Sequence, residues 1–157
     1  MISPSIAEVY PNLFIGDIDA AKAFNYLHRN NFTKVINLSG IPVYYTGLTP
    51  VITNVPNIED KPHNIAELIQ LCHIYWPLTK EIDKELNKLP ADRSTNRVLV
   101  NCHAGINRSA LLIALYLKLH KCMPPKKIVG LLEKANEKRQ LEVLTNHTFR
   151  DLILTPI

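Results

Sequence analysis

The chain has 157 residues, 46% hydrophobic and 20% charged, with a formal net charge of +4. That length suits one compact domain over 1–157, and the composition excludes a disordered or fibrous chain. No apolar run approaches the roughly 18 residues of a membrane span, and "MISPSIAEVYPN" lacks the basic-then-apolar layout of a secretory leader.

The segment "EVYPNLFIG" (8–16) predicts a hairpin or two edge strands around Pro11-Asn12. Asp17 is placed to cap a helix running to about Asn30, with Ala20, Ala23, Phe24 and Leu27 on one face. "KVINLS" (34–39) reads as a strand ending in a loop at Gly40, and "VITNVP" (51–56) as another. The loop "NIEDKPHN" (57–64) precedes a helical pattern from Ile65 to about Leu89, which Pro77 should kink or split. "RVLVN" (97–101) is the most apolar strand and so the expected centre of the sheet. Helices should follow from about Asn107 to Lys121, from Pro124-Pro125 to about Arg139, and from near Asn146. Strands alternating with helices predict an α/β fold: a mostly parallel, twisted sheet of about five strands flanked by helices.

Eighteen Lys and Arg against fourteen acids are scattered along the chain. Their densest cluster, "KKIVGLLEKANEKR" (126–139), is interleaved with acids and reads as a solvated helix face rather than a nucleic-acid track. A mildly basic protein suits an anionic substrate. Cys72, Cys102 and Cys122 are odd in number and widely spaced, which argues against a disulfide framework and for a reducing compartment, the cytoplasm with access to the nucleus. Cys72 and Cys122 sit on apolar helical patterns and are expected in the core. Tyr44, Tyr45, Tyr75 and Trp76 read as packing or pocket-rim residues.

The chemistry concentrates in "VLVNCHAGINRSALLIALYL" (98–117), an apolar strand, a glycine-containing loop and an apolar helix in direct succession. In open α/β sheets the functional crevice lies at the carboxyl ends of the strands, where this loop falls. The first amides of the helix have no intrahelical partner and, with the helix dipole, make an anion site. Gly105 lets the backbone curl so that several N–H groups converge. Arg108 at a helix N-terminus is disfavoured by about 0.3–1 kcal/mol unless a bound dianion reverses the sign. Its fork matches two phosphate oxygens. Cys102 faces the same ring of donors. A free thiol titrates near 8.5, and the helix terminus alone lowers that by at most about 2 kcal/mol of preference for the thiolate. The rest must come from converging amides, Arg108 and the Ser109 hydroxyl. A thiolate in a phosphate cradle is a nucleophile aimed at phosphorus.

On these residues the chain resembles the dual-specificity protein phosphatases of the cysteine-based tyrosine phosphatase superfamily. That family's loop reads His-Cys-x-x-Gly-x-x-Arg-Ser/Thr, and "NCHAGINRS" matches it except at Asn101. "VYPNLFIGDIDAA", "FTKVINLSG" and "RQLEVLTNHTFRDLI" are similar to further family segments in the same order. The compact length is like that of the atypical members, small viral ones included.

The resemblance implies a tyrosine-phosphatase-like fold and a two-step reaction without metal or cofactor. Cys102 attacks phosphorus, while Arg108 and the backbone N–H groups of His103, Ala104, Gly105, Ile106, Asn107 and Arg108 hold the oxygens. Ser109 assists departure of the thiolate. Asp60 aligns with the family's general acid, and Glu59 is the reserve. Asn101 can donate and accept hydrogen bonds but carries no charge, which implies a less activated Cys102 or a slower enzyme.

The expected substrate is a phosphoprotein carrying phosphotyrosine and phosphoserine or phosphothreonine. An RNA 5′ end or a phosphoinositide is the alternative, and a catalytically silent phosphate-binding module the third reading. Nothing in the residues fixes an oligomeric state. His103 and His63 read first as outward-facing loop residues, and Asn37 and Ser39 as candidates for the pocket rim.

Overall fold

The computed structural model describes residues 4–88 and 95–155. Strands β1 (Ile6–Tyr10), β2 (Leu13–Gly16), β3 (Phe32–Asn37), β4 (Val51–Asn54) and β5 (Arg97–Asn101) form one sheet in the order β1-β2-β5-β3-β4. β1 runs antiparallel to β2, and the other three pairings are parallel. The fold is therefore α/β, with a mostly parallel sheet whose central strand is β5. The apolar run of β5 earns that place: Val98, Leu99 and Val100 have no exposed surface. β1 and β2 form the expected hairpin, but only β1 is an edge strand, because the far side of β2 pairs with β5 from Leu13↔Val98 to Gly16↔Asn101. Residues this apolar, Leu13 and Ile15 both fully buried, belong between strands.

Successive side chains of β5 point to opposite faces. Val98 and Val100 enter the larger core, beneath α3 (Ile65–Asn87), α4 (Arg108–Lys121), α5 (Pro125–Lys138) and α6 (His147–Leu154). Leu99 enters a smaller core with Val35 and Phe32, covered by α1 (Ile18–Lys22) and α2 (Phe24–Arg29). The pattern after Asp17 predicts one helix, but the chain breaks at Ala23, which caps one helix and opens the next. The bend lets Ala20, Ala21 and Leu27 all reach the small core.

α3 is continuous through Pro77, contrary to the expected kink or split. Proline removes the hydrogen bond to the carbonyl of residue 73. Here His73 and Pro77 both lie on the exposed face of α3, away from the core, while Leu71, Tyr75, Leu78 and Ile82 keep the buried stripe. Leu89, where the sequence pattern ends this helix, lies outside the described residues. Among the described residues no helix is long and apolar enough to cross a membrane. Cys122 is exposed rather than in the core: it ends α4 in the left-handed region at φ 50°, and Cys72 is only half-buried.

Candidate active site

β5 ends at Asn101, and the loop 102–107 runs from it into α4. Four of its carbonyls are tied outward. The His103 carbonyl accepts from the Ile18 N–H at 3.1 Å and that of Ile106 from the Leu144 N–H at 2.9 Å. Arg139 donates through Nη2 to the Ala104 carbonyl at 3.2 Å and through Nη1 to that of Gly105 at 2.8 Å. Asn136 adds a second donor to the Gly105 carbonyl at 3.1 Å. A peptide plane with its C=O fixed outward presents the adjoining N–H inward. Among the described residues, none of the amides of residues 103, 104, 106, 107 and 108 donates a hydrogen bond, while the Gly105 N–H reaches Cys102 Sγ at 3.2 Å. Gly105 has φ +72°, and a Cβ there would lie 2.6 Å from the Gly16 carbonyl oxygen, so no other residue fits the turn.

Cys102 is 3% exposed and Ser109 fully buried, with Sγ and Oγ 3.2 Å apart. Arg108, also buried, donates through Nη1 to Asn57 Oδ1 at 2.9 Å, to the Ile58 carbonyl at 3.3 Å and to the Ser39 carbonyl at 3.4 Å. Its Nε is buried with no partner among the described residues. A guanidinium pinned on one side with a donor left over is poised for an oxyanion. Ser39 and Asn37 do not form the pocket rim. They are buried behind the loop, at the ends of strands that place Asn101, Asn37 and Asn54 abreast. Asn101 Nδ2 donates to Asn37 Oδ1 at 3.0 Å, and Asn37 Nδ2 donates to Asn54 Oδ1 at 2.8 Å. The asparagine at 101 thus joins a row of amides, with its own Oδ1 buried and without a partner among the described residues.

Asp60 comes to the same place from the loop before α3. Its Oδ2 accepts from Asn107 Nδ2 at 2.8 Å and its Oδ1 from Asn146 Nδ2 at 3.0 Å. Glu59 points elsewhere, 3.8 Å from Lys61 Nζ. His103 is exposed within the loop. His63 packs its ring on Phe149, with centroids 5.4 Å apart. Tyr44 is 82% exposed and Tyr75 1%. Tyr75 sits beneath the site: burial pushes its hydroxyl well above the ordinary range, a Cys102 anion and Asp60 add to the rise, and Arg108 opposes it. Burial also lowers Arg139 from its usual value, against the pull of Asp17 and Cys102.

The sequence pattern brought out Cys102, Gly105, Arg108 and Ser109, the family resemblance added Asp60, and the fold gathers all five. It passed over Asn57, Asn136, Thr145 and the side-chain part of Asn107. Arg139 and Asn146 carried a signal only as parts of a segment similar to a family's closing region.

No family model matches the chain. A protein of Dictyostelium discoideum named as a probable dual specificity protein phosphatase is 29% identical over 110 residues, which cover 70% of this chain and 45% of that protein. Dual specificity protein phosphatase 13B of Mus musculus is 27% identical over 167 residues, with 93% of this chain and 75% of the relative covered. Among solved structures, human DUSP28 superposes with a TM-score of 0.72 at 22% identity, over 97% of this chain and 94% of the other. The chain thus spans between about half and three quarters of the two curated relatives.

Proposed function

We propose that this chain, which is built as a dual-specificity phosphatase domain and resembles those proteins in sequence, hydrolyses phosphate monoesters on proteins through a cysteinyl-phosphate intermediate. The observation that carries this is the cup at 102–108: four carbonyls bonded outward, and a thiol that accepts from the Gly105 amide at 3.2 Å. Such a cup fits a tetrahedral oxyanion with sulfur at its base.

In the first step Cys102 Sγ attacks phosphorus as the bond to the substrate oxygen breaks. The amides of residues 103–108 and Arg108 hold the equatorial oxygens, and the leaving oxygen takes a proton from Asp60. In the second, water attacks the thiophosphate, Asp60 takes a proton from it, and sulfur leaves as thiolate with the Ser109 hydroxyl donating to it. No metal takes part, because the loop supplies the positive potential.

We place 1–157 as one catalytic domain working on phosphotyrosine and phosphoserine or phosphothreonine in a reducing compartment, the cytoplasm or nucleus. Cys102 must stay a free thiol there, and the chain's three cysteines are all unpaired. The test is turnover of p-nitrophenyl phosphate and of phosphopeptides by the purified protein, beside release of γ-phosphate from triphosphorylated RNA. Phosphopeptide turnover abolished by Cys102→Ser supports the assignment. RNA turned over in preference to phosphopeptides shifts the substrate class, and no turnover of any phosphate overturns it.

A further inference from the structure

Asp60 is exposed, yet both of its oxygens are gripped by side chains that are themselves buried, Asn107 and Asn146 each being 7% exposed. Neither amide is free to turn over. Asn107 Oδ1 accepts the Asn146 backbone N–H at 2.9 Å and the Thr145 hydroxyl at 3.3 Å. Asn146 Oδ1 accepts the Thr148 hydroxyl at 2.7 Å and the Phe149 N–H at 3.3 Å, capping α6. A backbone N–H can only donate, so each amide oxygen is fixed and each NH2 must face Asp60. Reversing Asn107 would set its oxygen against the carboxylate and its NH2 against another donor.

The two jaws come from different parts of the chain. Asn107 is the residue before Arg108, inside the loop that forms the oxyanion cup, whereas Asp60 lies 47 residues away on another loop. The carboxyl group is therefore registered to the cup and not merely to its own segment. Asn57, three residues before Asp60, makes a second tie between the same two loops through Arg108 Nη1 at 2.9 Å.

We infer that Asn107 is a positioning residue that ties the proton donor to the phosphate loop, with Asn146 as the opposing jaw, so that leaving-group oxygen and acid are set by one rigid unit. This rests on the phosphatase assignment above. An acid displaced from the leaving oxygen costs most where that oxygen is most basic, because only then does the departing group require the proton.

The test compares Asn107→Ala and Asn107→Asp with the wild type on p-nitrophenyl phosphate and phenyl phosphate. Asn107→Asp keeps an acceptor for the Asn146 N–H and the Thr145 hydroxyl, so it guards against simple misfolding. Both variants should lose about tenfold more kcat on phenyl phosphate than on p-nitrophenyl phosphate. Asn107→Ala added to Asp60→Ala should cost nothing further on phenyl phosphate. Amide hydrogen exchange over 57–63 should quicken in both variants while α4 keeps its protection. Equal losses on the two esters, full additivity with Asp60→Ala, or unchanged exchange over 57–63 would each overturn the role. Should the wild type hydrolyse neither ester, the phosphatase assignment falls, and the exchange measurement still decides whether Asn107 holds the Asp60 loop.

Discussion

Gly105 meets two demands at one position: a left-handed backbone, and an approach so close that a Cβ would stand 2.6 Å from the Gly16 carbonyl oxygen. Gly105→Ala therefore strains the turn by about 1–3 kcal/mol and tilts the amides out of the cup. Vanadate affinity is expected to fall by about tenfold or more, since every 1.4 kcal/mol is a factor of ten. Isothermal titration of vanadate into the variant measures this directly. Asp60→Ala has a different signature. It should depress turnover of an alkyl phosphate such as phosphoserine far more than that of p-nitrophenyl phosphate, whose leaving group departs without a proton. Steady-state kinetics on the two would show equal losses if Asp60 were only a solvated loop acid.

Residues of this kind differ in how plainly a sequence declares them. Cys102, Gly105, Arg108 and Ser109 lie within eight positions, between a strand pattern and a helix pattern, and local physics alone points to an anion cup. Asn107 and Asn146 act on Asp60 across 47 and 86 positions. No periodicity links residues at such separations, and asparagine is as much at home in an ordinary turn. Long-range polar pairing of this sort becomes visible only once the fold is known.

Among the elements, β5 and α4 were the most legible, because an uninterrupted apolar run admits few alternatives. Ala23 was not, since alanine favours helix and hides the break that the small core imposes. Pro77 misled for the opposite reason: a strong local breaker is tolerated on the exposed face of a helix whose buried stripe stays intact. α3 owes its firm start to a capping box in which Asn64 Oδ1 accepts the Glu67 N–H at 2.9 Å and Glu67 Oε1 accepts the Asn64 N–H at 3.1 Å. The Glu67 carboxyl is held below its ordinary range first by that backbone N–H. Asn64→Ala should cost about 1 kcal/mol of stability. Urea unfolding at neutral pH would register it as a lower midpoint with an unchanged slope.

At the scale of the whole molecule, the sheet separates two cores of unequal size, and most of the large buried residues lie on the side of α3 to α6. Tyr75 and Tyr116 are buried there, and Tyr45 is packed against the smaller core. Burial raises all three hydroxyls above their usual value of 10.0. Below about pH 10 these tyrosines are neutral in both folded and unfolded chains, and the stability they lend is complete. As pH climbs past 10 the unfolded chain releases protons that the folded one retains, so stability declines toward the folded values. Urea unfolding at pH 8, 10 and 11 should trace that decline, and Tyr75→Phe should make it shallower.

The outward ties of the oxyanion cup have a temporal meaning as well. Ile18 emerges early from the ribosome, but Arg139, Leu144 and Asn146, which hold the loop and its acid from behind, are translated only after all of α4 and α5. A nascent chain that already carries Cys102 still lacks the groups that turn its neighbours' carbonyls away, so the cup takes its shape only once residues 139–146 have joined the fold.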